Sequence, residues 1–312
     1  MTESKEAVDE LLEAIDELEL GETEQIGHAH FIPILDKDPE RERSYITVNE
    51  ALKAGVLELR DSGSIDTLIA VNRGDMPILF IAGMNVHAEG TQSRVVVGSH
   101  LVPAKSKTEI PCRCTHDVHP ISAGHGIMTD VAHYGVASPK VRAHTLGRAT
   151  ADQSAVWDKV RRHREEMKSK HYRGRPVIAA GESSTRHSDV QARAIARMRE
   201  ELSKLKPQDR QVGLAVISEG KLMSLEVFDS VETYRELHDK LIARFASEIA
   251  AEKATPKTTL TKLRKEMLKQ LRSLSIQLQV DGSAATYHSE KQAMNALWDK
   301  RRKPVHYCLS HF

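Results

Sequence analysis

The sequence predicts an α+β fold: an antiparallel β-rich sheet or sandwich with packed helices, and helical extensions at the N- and C-terminal ends. Three observations lead there. Between Tyr45 and about Cys114, short segments rich in β-branched residues follow one another with only turn signals between them, a pattern of strands joined by tight turns, not of strand alternating with helix. Both flanks of the chain instead repeat apolar residues every three or four positions, the spacing of one helix face. Finally, 312 residues are enough to bury a sizeable core.

Each element follows from local pattern. Positions 3 to 20, "ESKEAVDELLEAIDELEL", set Val8, Leu11, Leu12, Ile15 and Leu18 at helical spacing among carboxylates, an acidic amphipathic helix. After it, "VNEALKAG" predicts a short helix. The segments "VLELRD", "DTLIAVNRGD", "PILFIAGMNV", "SRVVVGSHLV" and "KTEIPCRC" then predict strands, broken at Asp61 to Gly63, Gly74-Asp75 and Pro103 to Ser106. Residues 115–150 hold many Gly, Pro and His without periodicity and read as a long irregular connection, often a functional one. Helices are expected over "DQSAVWDKVRRHREEMKS" and over "HSDVQARAIARMREELSKL", where Val190, Ala194, Met198, Leu202 and Leu205 keep one face. "QVGLAVISEGKLMSLEVF" is a β-hairpin turning at Glu219-Gly220. Asp229, three residues before Glu232, is the expected N-cap of the next helix. Beyond Pro256, Leu260, Leu263, Met267, Leu271, Leu274 and Leu278 mark a basic amphipathic helix whose end, "SIQLQV", fits a strand equally well. The expected domains are therefore 1–44, an acidic helix and connector; 45–255, the α+β domain; and 256–312, a basic and mainly helical extension.

Charge divides along the chain. Residues 1–24 carry ten acids and one Lys, about −9, whereas residues 256–312 carry eleven Lys or Arg and four acids, about +7, although the whole chain is only +1. No basic-then-apolar leader and no apolar run of about 18 residues occurs. The expectation is a soluble, cytoplasmic protein without a membrane partner. Three cysteines, an odd number without an export signal, do not describe a disulfide framework.

The segments "ITVNEALKAGVLEL", "AVNRGDMPILFIAG", "GTQSRVVVGSHLVPAKSKTEIPCRC", "DQSAVWDKV" and "VGLAVISEGKLMSLEVFDSVETYRELHDKL" occur in that order between Ile46 and Ala250. Together they resemble the ARG-and-rhodanese-phosphatase-superfamily-associated protein domain of bacteria and archaea. The resemblance implies a setting, association with ADP-ribose glycohydrolase-like and rhodanese-phosphatase-like proteins, and brings no catalytic residue. This chain departs from the family pattern between Gly83 and Gln92, at Cys112, and in its charged ends.

Candidate sites are few. The turn "NRGD" and the run "EGTQSR" bring Asn72, Arg73, Asp75, Glu89, Gln92 and Arg94 beside apolar strands. Two guanidiniums with amide and carboxylate partners suit a phosphate or ribose, while Asn-Arg-Gly-Asp is equally good turn chemistry. Cys112, Cys114 and His116 share one face of an extended segment. With His119, His125 or His133 they form a candidate zinc site, but cysteines two apart on a strand also read as small core side chains. His28 and His30 in "GHAHF" lack the further ligands of a metal-dependent hydrolase. Ser183 and Ser184 lack a nucleophile-elbow spacing, and there is no Gly-rich phosphate loop. The basic segments 159–175 and 257–303 raise nucleic-acid binding. The leading expectation is an accessory protein binding an ADP-ribose-like or other nucleotide ligand. The alternatives are a nucleic-acid or ribonucleoprotein binding factor and a metal-dependent hydrolase using the loop histidines. Whether it is an enzyme, and its oligomeric state, are not legible.

Overall fold

The computed structural model describes residues 9–10, 13–14, 16–37, 42–64, 66–87, 94–114, 132–146, 189–251, 265, 269, 279–281, 284–288, 292–301 and 303–311. After a helical stretch in which the Glu17 N–H donates to the Glu13 carbonyl, β1 (Glu19–Leu20), β2 (Glu24–Ile26) and β3 (Ala29–Leu35) open the sheet structure. Next, β4 (Ile46–Thr47) runs into helix α1 (Val48–Lys53). Thr47 and Glu50 form a reciprocal capping box there, which fixes the helix start at the residue where the strand stops. Strands β5 (Leu57–Asp61), β6 (Thr67–Asn72), β7 (Ile78–Phe80), β8 (Met84–His87), β9 (Arg94–Val96), β10 (His100–Val102) and β11 (Ser106–Cys114) follow. Then come β12 (Ala132–Val136), α2 (Pro139–Thr145) and α3 (Asp189–Leu202). The hairpin β13 (Gln211–Ser218) and β14 (Lys221–Phe228) precedes α4 (Val231–Ala243) and α5 (Ala246–Ala251). Last are β15 (Gln279–Asp281), β16 (Ala284–His288), β17 (Gln292–Trp298) and β18 (Pro304–His311).

These strands form three sheets. The largest runs β1-β3-β13-β14-β18-β17-β16-β15, with β2 also on β3, and every pairing in it is antiparallel. A six-stranded sheet runs β12-β8-β9-β11-β6-β5, and a small one, β10-β7-β4, holds one parallel pair. One core lies between them. Phe31, Leu214, Val216 and Val305 from the large sheet meet Leu59, Leu68, Ile110 and Cys112 of the six-stranded sheet, with Leu237 and Leu241 of α4 in the same cluster. The opposite face of the large sheet is apolar too, with Ile32, Leu225, Met294 and Leu309 buried. The strands of the predicted 45–114 region and the 211–228 hairpin are therefore present, and the fold is α+β with a β-rich antiparallel sheet.

Three expectations need correction. Residues 279–311, expected in a mainly helical extension, are four strands, and β18 inserts between β14 and β17. Likewise β3, expected in a connector, pairs along its whole length with β13. The boundaries at 44 and 255 thus both cut through one sheet. The N-cap of α4 is Ser230, whose hydroxyl accepts from the Thr233 N–H, and not the neighbouring Asp229. Among the described residues no helix is long and apolar enough to cross a membrane.

Candidate functional site

Ordinary strand alternation collects polar side chains where a core residue is expected. On β14, Ser224, Glu226 and Phe228 share one face; on β18, His306, Cys308 and Ser310 share the matching face; and the register pairs them as Ser224 with Ser310, Glu226 with Cys308 and Phe228 with His306. Asn295 of β17 stands opposite Cys308. All six of the polar members are at most 1 % exposed.

Two arginines reach this row from separate helices. Arg142 comes from α2, which Ser138 caps and Pro139 starts, and Arg244 is the C-cap of α4. Both donate to one carboxylate oxygen of Glu226, Arg142 through Nη1 and Arg244 through Nη2 at 3.0 Å. Arg142 also donates through Nε to Ser310 Oγ at 2.7 Å and through Nη2 to Ser224 Oγ and the Leu309 carbonyl, each at 3.1 Å. Its stem passes over Gly83, where a Cβ would lie 2.5 Å from Arg142 Cδ and where φ is +79°. Glycine suits that position for both reasons.

The other Glu226 oxygen, Oε1, lies 2.8 Å from His306 Nε2, and His306 Nδ1 lies 2.6 Å from Ser99 Oγ. The ionised Glu226 oxygen can only accept, so His306 Nε2 carries a proton and donates to it. Burial lowers the imidazole and favours its neutral form, in which Nδ1 accepts from the Ser99 hydroxyl, whose oxygen accepts from the Ala82 N–H at 3.0 Å. The order Ser, His, carboxylate is that of a nucleophile relay. Here it works as a proton-fixing lattice, because the Ser99 oxygen is already committed twice and is closed off from any reacting atom (Ser99 is 1 % exposed).

Electrostatics follow from burial and charge. Burial would raise the Glu226 carboxyl, but Arg142, Arg244 and the His306 hydrogen bond outweigh it and hold it far below the usual carboxylate range. Burial, aided by the like charge of Arg142, lowers Arg244 to about 10. Burial also lowers His306 and pushes the Cys308 thiol up to about 12. Two guanidiniums thus face one carboxylate and a neutral imidazole. Arg244 Nε and Nη1 are buried donors without an acceptor among the described residues.

Glu226, His306 and Cys308 bring three potential metal-ligand atoms within 4.8 Å of one another. The surroundings argue against a cation there, because two guanidiniums already sit on the carboxylate.

The residues singled out from sequence lie elsewhere. Asn72 is buried at the end of β6, donating to the Met76 and Pro103 carbonyls at 2.8 and 2.9 Å and accepting from the Gly74 N–H at 2.9 Å. It fastens a turn. Arg73 is a surface residue paired with Glu58 at 2.7 Å, and Asp75 pairs with Lys105 at 3.0 Å, also on the surface. Arg94 is 2 % exposed and committed to Asp61 at 2.8 Å and to the Ser64 and Thr67 carbonyls. The two arginines therefore serve different partners and do not converge. Glu89 and Gln92 lie outside the described residues, as do His116, His119, His125 and all of the basic run 159–175. Cys114 and His133 are described in their backbone alone, in β11 and β12. Cys112 is a buried core side chain. Sequence reading missed Arg142, Glu226, Arg244 and His306. The available signal was a Glu inside the apolar run "LMSLEVF" and a Ser-Pro helix start ahead of Arg142.

A comparison with curated proteins found no match, and none was found among solved structures. A family model does match, over residues 17–309, so it spans both ends of the large sheet and every residue of the buried network except Ser310. The chain belongs to the ARG and Rhodanese-Phosphatase-superfamily-associated Protein domain family.

Proposed function

We propose that this chain is an accessory binding protein for an anionic, phosphate-bearing ligand, an ADP-ribose-like molecule or another nucleotide, and that Arg142 and Arg244 hold the anion. The observation that carries this reading is the unbalanced charge: Arg244 keeps two buried N–H donors without an acceptor among the described residues while sharing one carboxylate with Arg142. A buried cation lacking full compensation is costly, and an anion is the species that completes it through charge-assisted hydrogen bonds. The family description, with its association to ARG and to the rhodanese-phosphatase superfamily, supports the nucleotide-type ligand class.

The two guanidinium groups are closed off, at most 3 % exposed. Entry therefore requires α2 to shift on the large sheet, where Ala143 and Leu146 pack against Ala293 and Cys308 and where Arg142 is tied to Glu226, Ser310 and Ser224. The test is calorimetric titration of the full chain with ADP-ribose, AMP and inorganic phosphate, repeated on Arg244→Met, which keeps the stem and removes the charge. Wild type should bind at least one of the three, and the variant should lose about ten- to a hundredfold in affinity, the worth of a hydrogen bond to a charged group. The variant's unliganded melting temperature should not fall, since the least compensated charge is the one removed. No saturable binding by wild type, or equal binding by the variant, sinks the reading.

A further inference from the structure

A recess lies at the ends of β14 and β18 marked by Phe228 and Pro304, against the N-terminal helical stretch. Counting the space open to solvent, it encloses about 410 Å³. Glu17, Asp36 and Asp229 line it, no Lys or Arg is among its lining residues, and Leu18, Val227 and Pro304 contribute apolar wall. Acidic side chains around a hollow are common and do not by themselves make a site. What distinguishes this one is Tyr307, which lines the same recess, is 4 % exposed, and has a buried hydroxyl without a hydrogen-bond partner among the described residues. A buried phenol usually finds a partner. Burial and the nearby Asp36 charge both keep this one protonated, so its oxygen is a neutral acceptor.

The walls are held in place. Asp36 is clamped through its backbone, its N–H donating to the Arg210 carbonyl at 3.0 Å and its carbonyl accepting from Arg210 Nη1 at 3.1 Å. Asp229 accepts from the Tyr45 hydroxyl at 2.5 Å, and its N–H donates to the Val305 carbonyl at 3.0 Å. Acceptors fixed in this way favour a ligand that only donates.

We infer that this recess binds the primary ammonium group of an aliphatic di- or polyamine. An ammonium offers three N–H donors and no acceptor, which matches carboxylates plus one phenol oxygen, and a methylene chain suits the apolar wall of Leu18, Val227 and Pro304. A divalent metal fits less well, because it demands a cage of oxygen ligands and apolar residues outnumber polar ones in this lining. The site is separate from the arginine pair, carries the opposite charge, and stands or falls independently of the anion reading.

The experiment is calorimetric titration of the full chain with 1,4-diaminobutane, alongside tetramethylammonium, which has the charge but no donor, and calcium chloride. Saturable binding of the diamine, weaker by about tenfold in Tyr307→Phe, a hydrogen bond's worth, and weaker still in Asp36→Asn, is the expected result. Tyr307→Phe should retain the wild-type melting temperature, because the hydroxyl it removes has no partner to lose. Absence of saturable binding, tetramethylammonium or calcium binding as tightly as the diamine, or an unchanged affinity in Tyr307→Phe, would overturn the inference.

Discussion

Glu226 balances two guanidiniums at once, so its charge matters more than its volume. Glu226→Gln should destabilise the protein by about 3–5 kcal/mol in urea unfolding, the usual cost of breaking a buried ion pair from one side. Replacing Arg142, Glu226 and Arg244 together by Met, Leu and Met should cost less than that single change, since no charge is then stranded. Arg94 and Arg73 give a parallel contrast. Arg94→Ala removes the partner of the buried Asp61 and should also cost about 3–5 kcal/mol, whereas Arg73→Ala on the surface should stay within about 0.5 kcal/mol. A measured reversal of that order would return both residues to consideration as ligand contacts.

The same network sets a pH response. His306 has a folded pKa below its ordinary 6.5, first through burial, so below 6.5 the unfolded chain takes up a proton that the folded chain refuses. Stability therefore falls as pH drops through that value. Glu226 is depressed from 4.5; its contribution is complete above 4.5 and is lost as pH falls below it. Melting temperature should be flat from neutrality to about pH 9, where the raised Cys308 thiol begins to cost stability, decline from about pH 6.5 downward, and decline faster below about 4.5. His100 and His238 are lowered too, again first by burial, so His306→Asn should flatten the upper part of the decline only in part.

Among the elements, those with a wet face or a marked turn beside them were legible and those with neither were not. β5 and β6 alternate buried and partly exposed residues, and their period of two is plain in "LELRD" and "TLIAVN". The β13–β14 hairpin was readable from its Glu-Gly turn, where both residues have positive φ. By contrast β17 and β18 are buried on both faces for nearly their whole length. Their polar residues fall on the network face and interrupt any apolar run, so neither alternation nor a hydrophobic block marks them. The site was illegible for the same reason: a histidine, an asparagine and a glutamate inside buried strands look like surface residues until the register places them together. α2 is short, and only its Ser-Pro start announces it. Gly83→Ala offers a test of how tightly α2 is seated. The added methyl meets the Arg142 stem and the backbone has positive φ, so a loss of about 1–3 kcal/mol or more is expected.

At the scale of the whole molecule, residues distant in sequence complete one sheet. β3 lies against β13, and β18 lies against β14, so neither end of the matched region 17–309 is an appendage. Ending the chain after residue 278 should therefore abolish the folded state, seen as loss of near-ultraviolet circular dichroism and of a cooperative melting transition. A truncated chain that still melts cooperatively would restore the expected division at residue 255.

The place of β18 also has a consequence for how the protein is made. Until the ribosome has released residue 311, β14 presents an unpaired edge, and the carboxylate between two arginines lacks its imidazole. At about 5–20 residues per second, the stretch from Phe228 to His311 takes on the order of 4–17 s to emerge. For that interval the nascent chain carries the open strand edge that folded proteins take pains to cover. Its most dangerous moment for aggregation comes during translation, and a message cut short before codon 304 leaves that edge open permanently.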